Sequence, residues 1–154
     1  MKKFHLGILS LIVLGNVLSF PNSSNAISSS NLTVNIAGLK NQKGQMCFSL
    51  FDSSRGFPGD RKRALKATCV KLKDVSGSLT LNSLRSGSYA VAIFHDANGD
   101  GNLNRNGLGI PTEGFGFSRN PRIVTGPPKF GDSAVIVVGS NTSIDIELNY
   151  FWGS

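Results

Sequence analysis

The chain has 154 residues, 40% of them hydrophobic and 16% charged, with a formal net charge of +7. With residues 1–26 set aside as a leader, Ile27 to Ser154 fits the size of one compact domain and excludes a second. Losing Lys2 and Lys3 leaves 14 of the 16 basic residues against 9 acidic, a modest net charge of about +5.

The leader has three parts. Lys2 and Lys3 give a basic start, Leu6 to Phe20 is an apolar run, and Ser24-Asn25-Ala26 puts small residues where a signal peptidase reads. Cleavage is expected after Ala26, which exports the mature chain to the periplasm, the outer surface or the medium. The run is too short, and its downstream flank too polar, for a comfortable membrane span; an uncleaved anchor is the alternative. The Ser/Asn-rich Asn22 to Asn31 reads as the cleavage region and a loose new N-terminus.

Beyond it the chain reads as strands. Leu32, Val34 and Ile36 alternate with Thr33 and Asn35; Met46, Phe48 and Leu50 alternate with Gln45, Cys47 and Ser49. One short helix of at most two turns is expected over Asp60–Ala67, capped by Asp60. Further strands are "CVKLKDV", "GSLTLNSL", "SYAVAIFHD", "SAVIVVGS" and the alternating Ile144, Ile146 and Leu148. Tyr89 to His95 is apolar on both faces, the mark of a central strand. Seven strands at this spacing predict an all-β, antiparallel sandwich, immunoglobulin-like or prealbumin-like, with turns between them. Cys47 and Cys69 are the only cysteines, and export puts them where thiols oxidise, so they are expected to form one disulfide.

The central strand ends in "HDANGDGNLNRNGLG". Calcium takes six to eight oxygens, which a loop supplies by alternating side-chain donors and turning sharply at a glycine. Asp96, Asn98 and Asp100 occupy positions 1, 3 and 5 of that pattern, Gly101 position 6, Asn102 offers its carbonyl at 7, and Asn104 a side-chain oxygen at 9. Position 12 is Gly107, not the usual glutamate; Glu113 is placed to fold back and replace it. The expected cofactor is calcium, held weakly. The other reading is a plain polar turn, since Asp and Asn form side-chain turns and tolerate left-handed angles.

"GSYAVAIFHDANGDGNLNRNGLGIPTEGFGFS" resembles the signature of domain-of-unknown-function family 2141, small exported bacterial proteins. The pattern is G-x-Y-A-v, H-D-x-N, a glycine-containing acidic or amide loop, G-x-P-x-E-G and G-F-S, met here by His95, Asp96, Asn98, Gly101, Gly109, Pro111, Glu113, Gly114 and Ser118. The resemblance covers nearly the whole mature chain and implies a β-domain of the cell envelope with no established activity. Asn104 stands where members often carry aspartate, which removes one charge. A looser likeness in the same segment, of fold level only, is to prealbumin-like and carboxypeptidase-regulatory sandwiches.

Other residues carry competing readings. His95 with Glu113, and Ser118 nearby, allows a small hydrolase; a core-edge histidine bonded to backbone is the plainer outcome. His95, Phe115, Phe117 and Arg119 form a possible ligand rim, against Phe115 and Phe117 simply packing as a short strand. The basic run from Arg55 to Lys73 reads as a solvated face or a contact for an anionic surface; with no recognition helix or stacking motif, nucleic acid is not expected. An envelope glycan, a peptide or an anionic surface are the partner classes left. Tyr150, Phe151 and Trp152 are read as an edge of the core.

Overall fold

The structure is a computed structural model that describes residues 29–74 and 77–151. The leader, its cleavage site at Ala26 and Trp152 lie outside the described residues. Alternation in the sequence becomes alternation in burial: in β1 (Ser29–Ala37), Leu32 and Val34 are fully buried while the residues between them are half-buried. β1 pairs antiparallel with β4 (Ser78–Arg85) on one side and parallel with β8 (Asn141–Glu147) on the other. These strands form a three-stranded sheet, β4-β1-β8.

The second sheet is built on β5 (Gly87–Asp96), which is antiparallel to β2 (Gln45–Phe51) along its length. β2 pairs in turn with β3 (Lys66–Lys71). On its other edge β5 meets β7 (Val135–Val137) near its start and β6 (Phe115–Phe117) near its end. Eight strands in two facing sheets make the all-β sandwich expected from the sequence. The added strand is the short β6, and the β1–β8 ladder is the parallel exception to an otherwise antiparallel pattern.

The helical stretch shrinks to one 3-10 turn at Arg61–Arg63, with Asp60 accepting the Lys62 N–H at 3.1 Å. Lys66 and Ala67 are drawn into β3 by pairing with Leu50 and Ser49, so tertiary ladder bonds override local helix preference. The short α-helix lies instead at Phe130–Ser133 (α1), ending on Ser133, the first residue of the stretch read from sequence as strand.

Between the sheets, Leu32, Val34, Met46, Phe48, Leu50, Val91, Ile93 and Ile146 form the main core. A second apolar cluster covers the outer face of the β5 sheet, from Cys47, Phe51, Ala92, Phe94, Phe115 and Phe117, with Phe57, Leu103, Ile123 and Phe130 packed over it. That is why β5 reads as apolar on both faces. Gly116, between the two phenylalanines, faces inward, where a Cβ would lie 2.7 Å from the Glu147 carbonyl and from Ile146. Only glycine lets β6 sit against β8.

Cys47 and Cys69 stand directly opposite each other in the β2–β3 ladder and are joined by the expected disulfide, 22 residues apart in sequence. Closing that loop restricts the unfolded chain. The double variant Cys47→Ala/Cys69→Ala is expected to lose about 3 kcal/mol of stability, read as a lower urea midpoint for the oxidised wild type's replacement.

Candidate functional site

β5 delivers two neighbours to opposite faces at its end. His95, 2% exposed, points into the main core, where its Nε2–H donates to the Lys43 carbonyl at 2.8 Å. A carbonyl can only accept, so Nδ1 is the acceptor for the Tyr150 hydroxyl at 3.0 Å. Both ring nitrogens are engaged.

Asp96 turns to the other face and is fully buried. Its Oδ1 accepts the backbone N–H groups of Gly99 (2.7 Å) and Asp100 (3.1 Å); Oδ2 accepts Gly101 N–H (2.7 Å) and the Gln45 side-chain amide (2.7 Å). Four bonds fill the four lone-pair positions of a carboxylate. Gly101, at φ +79°, supplies the left-handed angle that turns its N–H inward. Asp96 therefore organises the loop.

Glu113 folds back as the sequence predicts, and its targets are amides. Oε1 accepts Ala97 N–H at 3.0 Å and Oε2 accepts Asn104 N–H at 2.9 Å, stapling the two ends of the loop together. Asn98 Oδ1 accepts Asp100 N–H, and Asp100 Oδ1 accepts Asn102 N–H, so side chains at alternate positions each bind the amide two residues on. Asn102 also gives its side-chain amide to the Asp100 carbonyl.

Asp100 Oδ2 differs from the other carboxylate oxygens because it meets side chains alone: Asn104 Nδ2 at 3.0 Å and Asn98 Nδ2 at 3.2 Å. Asn98 Nδ2 also reaches Asn104 Oδ1 at 3.2 Å. Asn98, Asp100 and Asn104 thus converge at the solvent-facing tip, while Asp96 and Glu113 are committed to backbone. Among the described residues, no three His, Cys, Asp or Glu side chains gather as a ready metal set.

Among the described residues, His95, Glu113 and Ser118 share no hydrogen bond with one another. His95 and Glu113 are each hydrogen-bonded elsewhere, and Ser118 Oγ, fully buried, donates to the Ser133 carbonyl and accepts Val91 N–H at 2.9 Å. The proposed rim also divides. Phe115 and Phe117 belong to the outer cluster, His95 lies on the inner face, and Arg119 donates to the Gly131 carbonyl at 3.2 Å.

What the outer cluster does form is a groove of about 820 Å3, floored by Ala92, Phe94, Phe115 and Phe117. Its walls come from Pro58, Gly59 and Arg61, from parts of the tip loop between Gly101 and Pro111, and from Ile123 to Pro127. Arg61, read from sequence as part of a solvated face, sits at this groove with its guanidinium 5.3 Å from the Phe94 ring centre. Its position follows from the β2–β3 pairing and the disulfide, long-range features that no local pattern around residue 61 encodes.

The side-chain bond from Asn104, then the Asn102 N–H, hold the Asp100 carboxyl below its usual range. A depressed carboxylate contributes order that is complete above the unfolded value of about 4 and is lost as pH falls through the lower folded value. The Asn102 amide resonance is expected to stay constant from neutral pH down to about 4, then move at lower pH. In Asp100→Asn that acid transition is expected to vanish.

No helix among the described residues is long and apolar enough to cross a membrane. No curated protein and no solved structure matches the chain, so the likeness to prealbumin-like and carboxypeptidase-regulatory sandwiches rests on strand pattern alone. A family described as "Uncharacterized protein conserved in bacteria" matches residues 34–145, a span that runs from β1 through the tip loop and groove into β8. The chain belongs to that family, domain-of-unknown-function family 2141.

Proposed function

We propose that this protein is an exported structural or binding module of the bacterial cell envelope, with a weak calcium-type loop at the tip of its sandwich. Family membership supports the bacterial setting, and the leader pattern with the disulfide supports an oxidising compartment. One observation carries the loop reading. Asp96, Asn98 and Asp100 each bind backbone N–H groups ahead of them, wrapping the chain about the convergent side chains of Asn98, Asp100 and Asn104, where Asp100 Oδ2 and Asn104 Oδ1 both meet the Asn98 amide.

In this reading Asp96 is the organiser and Asp100 the primary ligand. A half-turn of the Asn104 amide exchanges Nδ2 for Oδ1 beside Asp100 Oδ2, turning a donor into an oxygen ligand without moving backbone. Glu113 keeps a lone pair on each oxygen. With so few charges available, affinity belongs at the weak end, about 10⁻⁴ to 10⁻³ M, sufficient outside the cytosol.

At calcium ten times Kd, linkage adds about 1.4 kcal/mol, which raises the melting temperature by roughly 3 to 6 °C. Asp100→Asn is expected to abolish the rise. Asp96→Asn is expected to lower stability with or without calcium, because three backbone amides lose an anionic acceptor. An unchanged wild-type melting temperature in 10 mM calcium defeats the ion and leaves a self-satisfied turn.

A further inference from the structure

We infer that the groove on the outer face of the β5 sheet is a binding site for a single-chain fatty carboxylate, with Arg61 receiving the carboxylate and the phenylalanine floor receiving the chain. This deepens the binding-module reading and is independent of the calcium loop.

Arg61 is the first observation. Its Nη1 is buried with no hydrogen-bond partner, and Nη2 reaches only the Cys69 sulfur at 3.3 Å, a poor acceptor in a disulfide. Asp96 is the acid whose field it feels, yet both Asp96 oxygens are saturated by the loop amides and Gln45. Burial lowers the Arg61 pKa, partly offset by that field. A guanidinium has five N–H donors in a planar fork matched to a carboxylate, and leaving one of those N–H groups buried and unpaired is costly. An arriving carboxylate removes that cost.

Charge and polarity along the groove decide what the rest of the ligand is. The lining includes Arg61 and Arg105 and no Asp or Glu; the remaining polar side chains are Ser49, Asn102 and Thr125. A glycan or a peptide places a hydroxyl or amide every few ångströms, and against these walls most of them would lose water without gaining a partner. An aliphatic chain has nothing to lose. Val124, 77% exposed, and Phe151, 49% exposed, stand at the groove with apolar surface that such a chain covers. The volume lies inside the range of small-molecule sites, and a polar anchor in an otherwise apolar cleft is their common form.

Calorimetric titration with laurate below its micelle concentration tests the assignment, with dodecanol and dodecyltrimethylammonium as neutral and cationic probes of equal chain length. Laurate is expected to bind one per chain, and at least tenfold more tightly than either control. Arg61→Gln is expected to weaken laurate at least tenfold while leaving dodecanol unchanged. Arg61→Lys, which keeps the charge and loses the fork, is expected to fall between, and Arg105→Gln supplies a second charge variant should Arg61→Gln not fold. Laurate binding is expected to persist in Asp100→Asn with chelator present, so failure of the calcium loop and failure of the groove give different results. Equal affinity for laurate and dodecanol, wild-type affinity in a folded Arg61→Gln, no heat at millimolar laurate, or concentration-dependent dimerisation that laurate does not reverse overturns the proposal.

Discussion

Everything distinctive in this molecule follows from β5 having no face turned to water. One side closes on the β4-β1-β8 sheet, as in any two-layer sandwich, but Ala92 and Phe94 on the other side must also be covered. No third sheet is available among the described residues. The covering is done by connections: the 3-10 turn and its flanks, the tip loop, and the run leading into α1. Loops cover a flat apolar surface less completely than a sheet does, because each carries backbone groups that need water or a partner. The groove is the part of that surface they leave open.

The tip loop shows how such a connection becomes firm without a core of its own. Three carboxylates and several asparagines are spent as acceptors for backbone N–H groups, which a long irregular loop otherwise leaves to solvent. Asp96 works from beneath, buried beside Gln45, and Glu113 from the side, so the loop is gripped at its start, middle and return. Asp100 alone faces outward, and its neighbours are amides that can present either nitrogen or oxygen.

Much of this was readable in the sequence where a single element carries its own signal. β1, β2 and β8 announce themselves by period-two alternation, and β5 by its continuous apolar run; the two cysteines found each other by elimination and compartment. Glu113, the acid beyond a tight turn, does return to the loop, where it accepts the Ala97 and Asn104 amides. Elements of three or four residues, such as β6, β7 and α1, are too short for a period to show, and the parallel sense of β1 and β8 is a property of the pair, not of either strand. Arg61 escaped for a similar reason. In sequence it is one of a basic run, and its unpartnered Nη1 and its seat over Phe94 exist only after distant segments have met.

The side-by-side pairing of β1 and β8 has a bearing on the order of assembly. Asn31 and Asn141, 110 residues apart, are neighbours in that ladder, so the middle strand of the smaller sheet keeps one edge vacant until β8 arrives. Contacts of such separation close slowly, and an open strand edge is adhesive while it waits. The same arrangement makes the arrival of β8 the event that closes the layer of apolar residues between the sheets.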